Sequence, residues 1–123
     1  MSIENKLRAY LATLDGSFRD FSSVEHLFED LYHSGFVLQE NENILDRKQM
    51  KQFHAKAFEM GSRATLLLRV TSQDSIEYKF RLTNNHWNIV IHCAAEVKDG
   101  KLYKAQPVDG SYPLLFRNII IIT

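Results

Sequence analysis

Five histidines and one cysteine are the side chains of this sequence that titrate nearest neutral pH: His26, His33, His54, His86, His92 and Cys93. Both residue types ligate metals, but only at workable spacings. No His-x-x-x-His, Cys-x-x-Cys or Asp/His cluster occurs, so no metal is expected. There is no Gly-x-Gly-x-x-Gly and no phosphate-cradling loop, so no nucleotide cofactor is expected either. A Ser-His-Asp triad has no motif behind it. His26 lies off the apolar stripe of its helix and reads as exposed. His33 reads as a helix end, where a positive charge would suit the dipole. His86 sits by a turn, and His92 faces away from Cys93 on one strand. His54 flanks the stripe of a helix and could line the mouth of a cavity. The aromatics Phe53, Phe58, Tyr78, Phe80 and Trp87 read as core, with a subset able to wall an apolar pocket.

Those side chains depend on elements that the periodicity outlines. Ile3, Leu7, Tyr10, Leu11 and Leu14 share one helical stripe, with Ser2 as cap and Asp15-Gly16 as stop. Ser22-x-x-Glu25 predicts a capping box for a second helix carrying Val24, Leu27, Phe28 and Leu31 and ending near Gly35. Phe36 to Glu40, the turn Asn41-Glu42-Asn43 and Ile44-Leu45 predict a small hairpin. Asp46-x-x-Gln49 opens a third helix with Met50, Phe53, Ala57 and Met60 inward and Gly61 as stop.

The second half switches to a period of two. Ala64 to Thr71 reads as a mostly buried strand. Ile76, Tyr78, Phe80 and Leu82 alternate with Glu77, Lys79, Arg81 and Thr83. Trp87, Ile89, Ile91, Cys93, Ala95 and Val97 share one face of a long strand, and Asn88, Val90, His92, Ala94 and Glu96 the other. Asp99-Gly100 predicts a hairpin into Leu102 to Pro107. Short connections favour antiparallel pairing, and helices grouped before such a sheet indicate an α+β class.

Composition bounds the rest. The 123 residues suit one domain spanning 1–123, and 45% apolar with 24% charged is an ordinary globular mix. Fifteen basic residues balance fifteen acidic ones, which argues against nucleic-acid or anionic-membrane partners. No apolar run approaches the ~20 residues of a membrane span, and the start lacks an apolar signal segment. A single cysteine leaves no intrachain disulfide and suits a reducing compartment. A soluble, cytoplasmic protein is expected. The apolar stretch from Leu114 to Ile122, within a C-terminal extension at 110–123, is expected to pair with a sheet edge or a partner subunit.

The order helix, helix, hairpin, helix, sheet, together with Leu31-Tyr32-His33-Ser34-Gly35-Phe36-Val37-Leu38 and Val97-Lys98-Asp99-Gly100-Lys101-Leu102, resembles the NTF2-like superfamily over about residues 3 to 109. That superfamily includes nuclear transport factor 2, ketosteroid isomerase, scytalone dehydratase and SnoaL-type polyketide cyclases. The resemblance implies three N-terminal helices packed on a strongly curved antiparallel sheet, a cystatin-like cone with a pocket. It also implies three positions: Tyr10 at the place of the isomerase's hydrogen-bonding tyrosine, Glu40 at that of its carboxylate base, and Cys93 at that of its second, protonated acid.

A carboxylate against apolar walls has a raised pKa and can move a proton beside a carbonyl, while a phenol opposite donates to the developing oxyanion. Tyr10 and Glu40 are therefore the candidate catalytic pair. Cys93 is only a weak donor, which argues against the ketosteroid isomerase reaction itself and leaves isomerase-, cyclase- or dehydratase-like chemistry open. The candidate pocket comprises Phe53, His54, Phe58, Tyr78, Phe80, Ile91 and Cys93. Plainer readings stand beside these: Glu40 as a solvated turn residue, Tyr10 as a core residue, Cys93 as a small core hydrophobe. Two function classes follow. One is a protein binding or transforming a small apolar molecule in the cone. The other is a non-catalytic homodimeric interaction module, paired through the outer sheet face carrying Val90, His92 and Ala94.

Overall fold

The computed structural model describes residues 2–108, and the apolar stretch from Leu114 to Ile122 lies outside them. Helix α1 (Ile3–Ala12) starts where Ser2 Oγ accepts the Asn5 N–H at 3.2 Å, and it turns Leu7, Tyr10 and Leu11 inward. A 3-10 turn (Phe21–Ser23) precedes α2 (Glu25–Leu31), and β1 (Tyr32–Glu40) follows without a break. Hairpin strand β2 (Asn43–Asp46) leads into α3 (Arg47–Glu59). There the expected capping box is complete: Asp46 accepts the Gln49 N–H at 2.9 Å, and the Gln49 side chain accepts the Asp46 N–H at 3.0 Å. Four more strands follow among the described residues, β3 (Arg63–Thr71), β4 (Ser75–Thr83), β5 (Asn88–Lys98) and β6 (Lys101–Pro107).

The strands form one sheet in the order β2-β1-β6-β5-β4-β3. Register shifts in the β1·β6, β3·β4 and β5·β6 pairs mark bulges, which bend strands and raise their twist. The inner face thereby wraps the helices. Ile76, Tyr78, Phe80 and Leu82 from β4 and Ile89, Ile91, Cys93 and Ala95 from β5 are all buried there, as the period of two requires. The turn between β5 and β6 has positive φ at both central residues, Asp99 at 54° and Gly100 at 73°, the geometry of a tight hairpin turn matched to strand twist. The α+β cone is the architecture expected from the sequence.

Four local expectations need correction. Helix α2 ends at Leu31 because Tyr32 turns extended and pairs with Leu102 of β6, so His33 lies on a strand and not at a helix end. Ser22 caps nothing: Asp20 accepts the Ser22 N–H at 3.1 Å, closing the 3-10 turn that drives Phe21 against Phe28 and Phe58. Helix α2 itself starts at Val24 without a side-chain cap. Among the described strands β3 is an edge strand, and it is not mostly buried. Ala64 and Leu66 face inward half-buried, while Leu67, Leu68 and Val70, at and beyond the register shift, are exposed at 44%, 38% and 56%. Finally, the sheet is not antiparallel throughout, since β1 and β6 run parallel. The intervening α3 and four strands give the long crossover that parallel pairing needs.

Candidate functional site

Three elements converge on one polar cluster inside the cone. Helix α1 delivers Tyr10, α3 delivers His54 one position beyond its buried Phe53, and the first residue of β1 delivers Tyr32. Tyr10 Oη lies 2.9 Å from His54 Nδ1, and Tyr32 Oη lies 3.2 Å from His54 Nε2. The imidazole is thus held at both nitrogens by phenols. Aromatic rings seal the arrangement: Phe28 stacks on Tyr32 at 4.5 Å, and Phe28 and Phe58 meet Tyr10 edge-on at 6.2 and 6.1 Å. On the sheet side, Tyr78 of β4 and Cys93 of β5 are direct cross-strand partners and share a side-chain hydrogen bond.

Burial sets the electrostatics: Arg47 Nε donates to the Tyr32 backbone oxygen at 3.3 Å, but among the described residues no charged side chain hydrogen-bonds the two phenols or the imidazole. Desolvation lowers the His54 pKa to about 3 and pushes the Cys93 thiol up to about 12, the latter partly offset by its hydrogen bond to Tyr78. Tyr10, Tyr32 and Tyr78 are raised well above the ordinary phenol range, by burial first and then by their neighbours. All five groups are neutral at physiological pH. The cluster can donate and accept hydrogen bonds but holds no ionised base.

The space left beside it is small. A cavity of ≈ 10 Å³ is walled by His54, Tyr78, Phe80, Ile91 and Cys93, all expected pocket residues, and by Tyr32, Phe36, Leu38 and Met50. Phe53 and Phe58 are buried but lie outside that lining; Phe53 stacks on Trp87 at 5.7 Å. Tyr10 reaches the cavity only through His54. Glu40 ends β1 at the hairpin, half-buried and outside the cavity wall, so the fold does not bring it together with Tyr10. Tyr32 is the residue that sequence reasoning missed: Ser34 is exposed and the register shifts between Tyr32 and Val37, so the inward alternation of Phe36 and Leu38 does not run back to it.

A second concavity lies on the sheet face turned away from the helices. It has a volume of ≈ 760 Å³ and runs from Val37 and Gln39 across Lys104, Gln106, Ala94, Glu96 and Glu77 to Val70. His92 lies on this face, its Nε2 2.7 Å from Glu77. Among the described residues, no group of three or more His, Cys, Asp or Glu is placed to hold a metal ion, and no helix is long and apolar enough to cross a membrane.

No family model matches the chain, and no curated protein matches it. Solved structures do. A de novo designed NTF2-fold protein is 17% identical over 100% of this chain and 98% of its own, with a TM-score of 0.65. An NTF2-like protein of unknown function from an Exiguobacterium species is 19% identical over 85% and 98%, with a TM-score of 0.59. A candidate polyketide cyclase from Streptomyces antibioticus is 13% identical over 96% and 99%, with a TM-score of 0.63. At these identities the likeness concerns the fold: the chain has the NTF2-like, cystatin-like architecture.

Proposed function

We propose that this NTF2-fold chain works as a homodimeric interaction module, pairing through the outer face of its sheet, with the cytoplasm as its setting. The observation that carries this reading is where the open space lies: ≈ 10 Å³ inside the cone against ≈ 760 Å³ on the outer face. Charge on that face supports a second copy of the chain as the occupant. Along β4 and β5, Glu77 and Glu96 stand toward one end, with Lys104 beside them in the trough, and Lys79 and Arg81 stand toward the other. A two-fold axis running across the strands lays each basic end over the partner's acidic end, a self-complementary contact. His92, Ala94 and Val90 fall along the middle.

Sedimentation of the full chain tests this. The natural sequence is expected to be a dimer. An all-acidic variant (Lys79→Glu with Arg81→Glu) and an all-basic one (Glu77→Lys with Glu96→Lys) should each be folded monomers, and mixing them should restore a one-to-one dimer. A monomeric natural chain, or dimers in both variants, refutes the reading.

A second reading, a small uncharged molecule bound or transformed within the cone in the manner of a SnoaL-like protein, is favoured by the Tyr10–His54–Tyr32 cluster. In it Tyr10 and Glu40 are the proposed donor and base. Stabilisation in a thermal-shift screen of carbonyl compounds, with turnover lost in Glu40→Gln, is its test.

A further inference from the structure

Hydrogen counting in the buried cluster leads further. Two phenols and one neutral imidazole carry three polar hydrogens, one on each hydroxyl and one on the ring. They make two contacts, Tyr10 Oη to His54 Nδ1 and Tyr32 Oη to His54 Nε2, and neither tyrosine hydroxyl has another hydrogen-bond partner among the described residues. Whichever ring nitrogen holds its proton, one hydroxyl donates to the imidazole and the other accepts from it. The accepting hydroxyl keeps a hydrogen with no acceptor among the described residues.

Geometry separates the two arrangements. Were Nδ1 protonated, the spare hydrogen would belong to Tyr10, which is fully buried, packed among Phe28, Phe58 and the imidazole, and absent from the cavity wall. An unpaired buried donor costs about 1–3 kcal/mol. Were Nε2 protonated, it would belong to Tyr32, which is 3% exposed and does line the cavity. The ≈ 10 Å³ there reaches the lower limit for one water, about 10–15 Å³. The shorter contact, 2.9 Å against 3.2 Å, also lies where a phenol O–H would donate to a bare ring nitrogen.

We propose that His54 carries its proton on Nε2 and that Tyr32 thereby presents its hydroxyl hydrogen to the cavity, forming a site for one uncharged acceptor oxygen. The cavity of ≈ 10 Å³ has room for no more than a water, so the oxygen is a water's. An anion is disfavoured, since no charged side chain lines the cavity and the Arg47 guanidinium near it is turned to the Tyr32 backbone oxygen. The site is independent of how the outer sheet face is used.

Nitrogen-15 NMR of the full chain tests the arrangement. The His54 shifts should report a protonated Nε2 and a bare Nδ1, unchanged between pH 8 and pH 5. The Tyr32 hydroxyl proton should be visible in slow exchange, with a cross-peak to water. Acetone should leave that water cross-peak in place. A protonated Nδ1, a Tyr32 hydroxyl with no water cross-peak, or replacement of that cross-peak by one to the acetone methyls overturns the proposal.

Discussion

Tyr10 on the first helix and His54 on the third are joined by a 2.9 Å hydrogen bond that no solvent reaches. The two residues are 44 positions apart, so the bond fixes how α1 sits against α3. Replacing Tyr10 with Phe keeps the ring but strips Nδ1 of its donor. The expected loss is about 1–3 kcal/mol in urea unfolding. Glu40→Gln, at the hairpin and outside the cavity wall, should change stability by less than about 0.5 kcal/mol in the same measurement.

His54 also predicts how stability depends on pH. Its folded pKa, about 3, lies below the ordinary value of 6.5. As pH falls through 6.5 the unfolded chain takes up this proton first, so stability declines between pH 6.5 and pH 3 and levels off below. The slope approaches about 1.4 kcal/mol per pH unit, giving roughly 2 kcal/mol lost by pH 5. Urea titrations at pH 7 and pH 5 check this against His54→Gln, which should lack that increment.

Cys93 is buried and its thiol is pushed up to about 12, so the reactive thiolate is scarce at any ordinary pH. Ellman's reagent at pH 8 should therefore label the folded chain only as fast as it opens, and label the urea-unfolded chain at once. Prompt stoichiometric labelling of the native protein would contradict the packing described for β5.

The two capping sites separate a working signal from a silent one. Asp46→Ala removes a complete capping box and should cost about 1 kcal/mol. Ser22→Ala, at an exposed position whose side chain caps no helix, should be neutral in thermal melts.

That contrast explains what could be read from the sequence alone. Strands β4 and β5 were legible because each buries one face, and a half-buried strand prints its period of two directly in residue type. The box at Asp46 was legible because both partners belong to one local turn. The boundary at Tyr32 was not. Residues 25–34 satisfy a helical stripe, and only pairing with β6, some seventy residues on, draws Tyr32 into the sheet. The same holds for the site. His54 and the walls of the cavity follow from facing rules, but its second phenol partner depends on that distant register. The exposure of β3 was hidden because an apolar run reads alike whether its edge is covered or open.

The parallel pairing of β1 with β6 bears on how the chain assembles. β6 is the last strand described, and it must slot between β1 and β5. Until it is made, the first hairpin has no neighbour on that flank and the sheet exists as two separate halves. Contacts between segments so far apart along a chain close late and slowly. During synthesis on a ribosome, α3 and β3 to β5 must all emerge while the flank of β1 waits uncovered. Its backbone groups are then open to stray strands, which makes this interval, rather than the finished protein, the period of greatest risk of aggregation.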